Sequence, residues 1–189
     1  MRTDIEMHAA RRSAGIAGSA VLSLLLAVVL LAGAGGCARA TAGDVEEARA
    51  AAAVVPGLPE WSVTFSAGRD PAADLKLALA AAKEHNRRVL VMVGGDWCVW
   101  CFLLDRHFRE DPEAARLFYE GFEVLRVYYG DDNPNKAFLD GFPDFEMFPH
   151  FFVVETDGRV LASVTADVLI ADAKYQTALI RTFAKHWQL

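Results

Sequence analysis

Only three of the 189 residues are cysteines, and two of them stand three positions apart in Gly94-Gly95-Asp96-Trp97-Cys98-Val99-Trp100-Cys101. Thiols at that spacing can ligate a metal, close a structural staple or exchange electrons. A tetrahedral metal site needs further ligands. His107 falls on the opposite side of a helix continuing from Cys101, so it cannot complete such a site. His150 is left as the third ligand, and the metal reading is a copper-binding module built from Cys98, Cys101 and His150. A staple would close a very small loop and constrain the unfolded chain little. The redox reading asks for one attacking and one resolving sulfur.

The flanking residues favour that last chemistry. Residues 89–93 are a wholly apolar, valine-rich run, the pattern of a buried strand. Residues 102–108 fit a helix with Cys101, Leu104 and Phe108 on one face. Cys98 then falls at the first turn, beside unpaired backbone N–H groups and the positive end of the helix dipole. Both favour the thiolate, which is the nucleophile. Cys98 attacks, and Cys101, one turn on, resolves. A Cys98–Cys101 redox couple needs no further cofactor.

The elements that must hold this junction follow from pattern. Residues 61–65 alternate apolar and polar, which predicts a strand. Asp70-Pro71 reads as an N-cap followed by a proline in the first turn, opening a helix that ends near Asn86. Asp111-Pro112 opens another helix, to about Tyr119. Residues 122–129, 151–155 and 159–164 read as strands, the last two joined by Asp157-Gly158. A closing helix is expected over 170–187, with Ala173 on its apolar side. This order predicts an α/β fold: a central mixed sheet with helices on both faces.

Two stretches carry a family resemblance: VLVMVGGDWCVWC and, later, MFPHFFVVETDGRVL. Together they resemble the thioredoxin superfamily, closest to extracytoplasmic thioredoxin-like proteins with a Trp-Cys-x-x-Cys centre, over residues 61–189. The resemblance implies a thioredoxin-like fold and thiol–disulfide oxidoreductase activity. It implies that Pro149 is the cis proline facing the redox pair. The Phe148 backbone would then pair with an extended substrate, and Trp97 and Trp100 would form a flat apolar rim. Pro143 fits that place less well, because no strand follows it directly. The chain departs from thioredoxin in having Met92 where a buried aspartate would serve as a base for the resolving sulfur. Asp96 and Asp105 are the nearest acids in sequence; proton handling is the alternative role for either, and both are expected to face solvent or cap the helix.

Residues 1–36 read as a signal peptide: Arg2, Arg11 and Arg12, an apolar run, then Gly33-Ala34-Gly35-Gly36 before Cys37. That end resembles a bacterial lipobox, which implies lipidation of Cys37. A free secreted form and an uncleaved N-terminal anchor are the alternatives, and each places the folded part outside the cytoplasm, on the periplasmic or cell-surface side. Residues 37–60, rich in alanine, read as a tether. Cleavage would remove three arginines and two acids, taking the net charge from −6 to −7, which disfavours nucleic acid as a partner. The expected partners are protein thiol or disulfide clients and a membrane thiol-transfer electron donor, with the membrane itself reached through the lipid. Nothing in the sequence specially stabilises the dithiol form, so the reading leans to a reductant.

Overall fold

The structure is a computed structural model and describes residues 55–189. The expected signal peptide, Cys37 and most of the tether lie outside the described residues. Val55 and Leu58, at the far end of the expected tether, pack against the core of the domain.

Four strands form one mixed sheet: β1 (Arg88–Gly94), β2 (Phe122–Tyr128), β3 (His150–Val154) and β4 (Val160–Thr165), in the order β2-β1-β3-β4. β1 runs parallel to β2 and antiparallel to β3, and β3 pairs antiparallel with β4. A parallel neighbour requires a crossover, which the two helices Val99–Glu110 and Pro112–Tyr119 provide. β1 is buried almost end to end because it is central and covered on both faces, hence its unbroken apolar run.

Strand alternation divides the core in two. Leu90, Met92, Val124, Phe151 and Val153 face α3 (Val99–Glu110), α4 (Pro112–Tyr119) and α6 (Thr177–Trp187), together with both cysteines. Val91, Val93, Leu125, Val127 and Phe152 face α2 (Pro71–His85) and an aromatic loop that follows the single turn α5 (Lys136–Leu139). Caps delimit the helices as the sequence suggests. Asp70 accepts from the amides of Ala72 and Ala73, and Asn86 closes α2 in the left-handed region at φ 53°. Asp111 accepts from Glu113 and Ala114 to open α4.

Two expectations need correction. Residues 61–65 are not a strand: Glu60–Val63 is a helical turn, α1. The outer edge of β2 is covered there by side-chain bonds instead of a ladder, with Ser62 Oγ donating to the Val124 carbonyl and Arg126 Nε donating to the Ser62 carbonyl. The closing helix is also shorter than expected. A 3₁₀ turn (Ala166–Leu169) leads into a hairpin, β5 (Ile170–Ala171) and β6 (Lys174–Tyr175), before α6 begins. Its two-residue turn has Asp172 and Ala173 at φ 51° and 55°, both left-handed, which matches the twist of a tight hairpin and stops any helix. No helix among the described residues is long and apolar enough to cross a membrane.

Candidate redox site

The site grows from the end of β1. Gly94 and Gly95 are required there by close approach. A Cβ on Gly94 would lie 2.6 Å from Cys101 Sγ and 2.9 Å from the Phe65 ring, and one on Gly95 would lie 2.5 Å from the Trp97 indole nitrogen. Cys98 is the N-cap of α3, and its carbonyl accepts from the amides of Cys101 and Phe102. Cys98 Sγ accepts from the Cys101 amide at 3.2 Å. A helix-terminal N–H is thus aimed at the expected attacking sulfur. Cys98 and Cys101 form a disulfide, and both are buried, at 3% and 2% exposure.

Over the buried pair lies an aromatic rim. Trp97 and Trp100 are both substantially exposed. Trp97 donates its indole N–H to the Tyr129 carbonyl at 2.6 Å and meets Phe148 edge-on at 5.0 Å. Phe148 also stacks on Tyr129 at 5.2 Å. The Phe148–Pro149 bond is cis, and Pro149 is buried at the entry to β3. On the other side of the cysteines Trp100 meets Tyr175 edge-on, and the Tyr175 hydroxyl donates to the Trp100 carbonyl at 3.0 Å. Burial, with the Asp105 charge added, pushes the Tyr175 hydroxyl well above its ordinary range, so it remains a donor.

His150 is elsewhere. In β3 it shares a face with Phe152, and its ring lies 4.7 Å from that of Phe152 and 5.2 Å from that of Phe145. Phe151 and Val153, of opposite parity, face the cysteines. His150 Nε2 is hydrogen-bonded to Ser163 Oγ at 2.8 Å, and burial pushes its pKa below the ordinary value. The three-residue copper grouping is therefore not assembled, and among the described residues no three His, Cys, Asp or Glu side chains are arranged to hold a metal.

Asp105 does not face solvent and caps nothing. It is buried one turn past Cys101 and forms a two-pronged ion pair with the equally buried Arg126, one bond at 3.0 Å. Arg126 Nη2 also donates to the Tyr119 hydroxyl at 2.7 Å, and the guanidinium lies 5.1 Å above the Phe65 ring. Burial opposes the Arg126 charge, but Asp105 and Tyr119 outweigh it and hold it protonated. This cluster occupies the face that Met92 shares, since Arg126 is its register partner on β2. Sequence reasoning missed the cluster, along with Tyr129 and Tyr175. The readable signal was an acid at position 105 inside the apolar series 101, 104, 108, and an arginine inside the apolar strand 122–129.

Comparison with known proteins agrees with this arrangement. The family described as thioredoxin-like matches residues 70–156. A disulphide isomerase from Xylella fastidiosa Temecula1 superposes with a TM-score of 0.55 at 27% identity, over 65% of this chain and 94% of that one. The oxidised C-terminal domain of Neisseria meningitidis DsbD is similar with a TM-score of 0.48 at 20% identity, over 66% of this chain and 99% of that one. No curated protein matches. With its mixed sheet, its strand-to-helix cysteine pair and the family match over residues 70–156, the chain has a thioredoxin-like fold.

Proposed function

We propose that the protein is a thiol–disulfide oxidoreductase that reduces protein disulfides outside the cytoplasm. The observation that carries this reading is the Cys98–Cys101 disulfide at the N-terminus of α3, with the Cys101 amide directed at Cys98 Sγ. In the reduced form the same N–H and the helix dipole stabilise a Cys98 thiolate. That thiolate attacks a client disulfide, forming a Cys98–client mixed disulfide and releasing the other client sulfur as a thiolate. Cys101 then loses its proton and attacks Cys98 Sγ. The intramolecular disulfide re-forms, and the second client sulfur leaves and takes up a proton. A membrane thiol-transfer protein returns two electrons. Trp97, Trp100, Phe148 and Pro149 position the client, and a lipid on Cys37 holds the protein at the membrane. The isomerase description of the Xylella structure supports disulfide chemistry as the activity.

Cys101→Ser should accumulate client mixed disulfides, and Cys98→Ser should not, read on non-reducing gels after acid quench. Trapping by Cys98→Ser instead reverses the roles, and trapping by neither overturns the reading. The direction of flow is read from the potential of the couple: near about −270 mV for a reductant, near about −120 mV for an oxidant.

A further inference from the structure

The β5–β6 hairpin builds something beside the redox pair. Between it and the outer face of α3 lies an open cleft of about 360 Å³. Trp100 and Leu103 of α3 and Tyr175 of the hairpin give it an apolar part, His107 and Ala173 also line it, and Arg106, Glu110 and Lys174 supply its exposed charges. Trp100 is at once a wall of this cleft and the residue immediately before Cys101. Pockets that hold ligands run from about 300 to 1,000 Å³, so this one suits a short piece of peptide.

Charge selects the piece. The lining carries two cations and one carboxylate on a chain whose net charge is −6. Glu110 is bound to Arg106 at 2.8 Å. Lys174 has no ion-pair partner among the described residues and is exposed on β6. The cleft therefore combines an apolar part with a net positive charge, on an otherwise acidic protein. We propose that it is a second client subsite, which receives the residues beside the client's reactive cysteine when they combine an apolar side chain with a carboxylate. Trp97, packed on Phe148, and Trp100, packed on Tyr175 of the cleft, stand immediately before Cys98 and Cys101, so the aromatic rim and the cleft are joined through the redox turn. The subsite rests on the oxidoreductase reading above, and it accounts for the hairpin that no sequence pattern announced.

The test uses two synthetic peptide disulfides, identical except for Leu-Glu or Leu-Lys two residues from the cysteine, and one small disulfide without a peptide. The readout is kcat/KM for reduction by the wild type and by Lys174→Glu. A single exposed charge contact sets the expected size: the wild type should prefer the Leu-Glu peptide by about threefold to fivefold. Lys174→Glu should abolish or invert that preference and leave the small disulfide unchanged. Leu103→Ala should slow both peptides alike. If the small disulfide is turned over while Lys174→Glu leaves the peptide ratio unmoved, the subsite is wrong and the oxidoreductase reading stands. If no disulfide of any kind is turned over, the oxidoreductase reading is the one that fails.

Discussion

Removing the Arg126 guanidinium while leaving Asp105 in place is the sharpest available perturbation of the scaffold beneath Cys101. Asp105 and Arg126 are each 3% exposed and joined by two hydrogen bonds. Arg126→Met keeps roughly the same stem but strands a carboxylate in a site closed to water. Stranding one member of a buried pair costs about 3–5 kcal/mol. At about 3 °C per kcal/mol for a domain of this size, melting should fall by about 9–15 °C. The pair Asp105→Leu with Arg126→Met removes both charges together. It leaves the Tyr119 hydroxyl and the Ser62 carbonyl without Arg126, so a residual loss of about 1–3 kcal/mol is expected. The double variant should therefore be more stable than the single one.

The sign of the pH effect adds a second readout. In Arg126→Met the stranded Asp105 carboxyl is easier to protonate folded than unfolded. A carboxyl whose folded pKa is raised has its full stability below the unfolded value of about 3.9 and loses it as pH rises through the folded value. The deficit of the single variant should thus be smaller at about pH 5 than at about pH 7.5, whereas that of the double variant should be the same at both. Urea unfolding of the oxidised proteins at the two pH values measures all four. A single variant no worse than the double, or a deficit that ignores pH, would refute the argument that a charge pair is buried there.

Other consequences are simpler to read. Gly94→Ala places a methyl 2.6 Å from Cys101 Sγ; it should cost about 1–3 kcal/mol through overpacking and prolong the mixed disulfide, and wild-type stability and kinetics would contradict the close approach. His150 is held neutral by burial, so its contribution is complete above the unfolded pKa of about 6.5 and is lost as pH falls toward the depressed folded value; His150→Phe should flatten the stability profile below about pH 6.5. Asp111 is held below the usual carboxylate range chiefly by the Thr177 hydroxyl, against an opposing burial effect. Asp111→Ala should cost about 1 kcal/mol or more and remove part of the acid-induced loss below about pH 4, as thermal melts across pH would show.

Much of this molecule is written locally in its sequence. The strand 89–93 is legible because a central strand covered on both faces needs apolar residues at every position. The starts of α2 and α4 are legible because Asp-Pro sets both a cap and a first-turn φ. Cys98 at the helix start follows from joining those two kinds of signal. What escaped depends on partners distant in sequence. The 61–65 alternation is a true period of two, yet its polar members bond to Val124 and Arg126 on β2, which no local pattern encodes. Ala173 reads as a helix former, and the pairing of Ile170 with Tyr175 and of Ala171 with Lys174 holds it in a left-handed turn. His150 follows Pro149 in sequence, and strand parity alone then turns it away from the sulfurs. The burial of Asp105 escapes a local reading because an acid on a helix is usually solvated. Its place in the series 101, 104, 105, 108 said otherwise, and Arg126 in an apolar strand was the matching half.

On the proposed function, the polar bonds around α3 hold the turn in place while the cysteine pair changes state. The helix is fastened near its start by the Tyr175 hydroxyl on the Trp100 carbonyl, and one turn beyond Cys101 by the Asp105–Arg126 pair. Neither fastening uses a sulfur. The bond from the Cys101 amide to Cys98 Sγ is available to a disulfide sulfur and stronger to a thiolate, because charge-assisted bonds are roughly twice as strong as neutral ones. Reduction therefore swaps one covalent link for a strengthened hydrogen bond on the same atom, inside a turn held by other groups. Gly94 brings the end of β1 against Cys101, leaving that sulfur little room to move away from Cys98. Proximity of this kind is what makes an intramolecular resolving step fast. Its cost falls on the backbone, as two adjacent glycines at the end of the central strand.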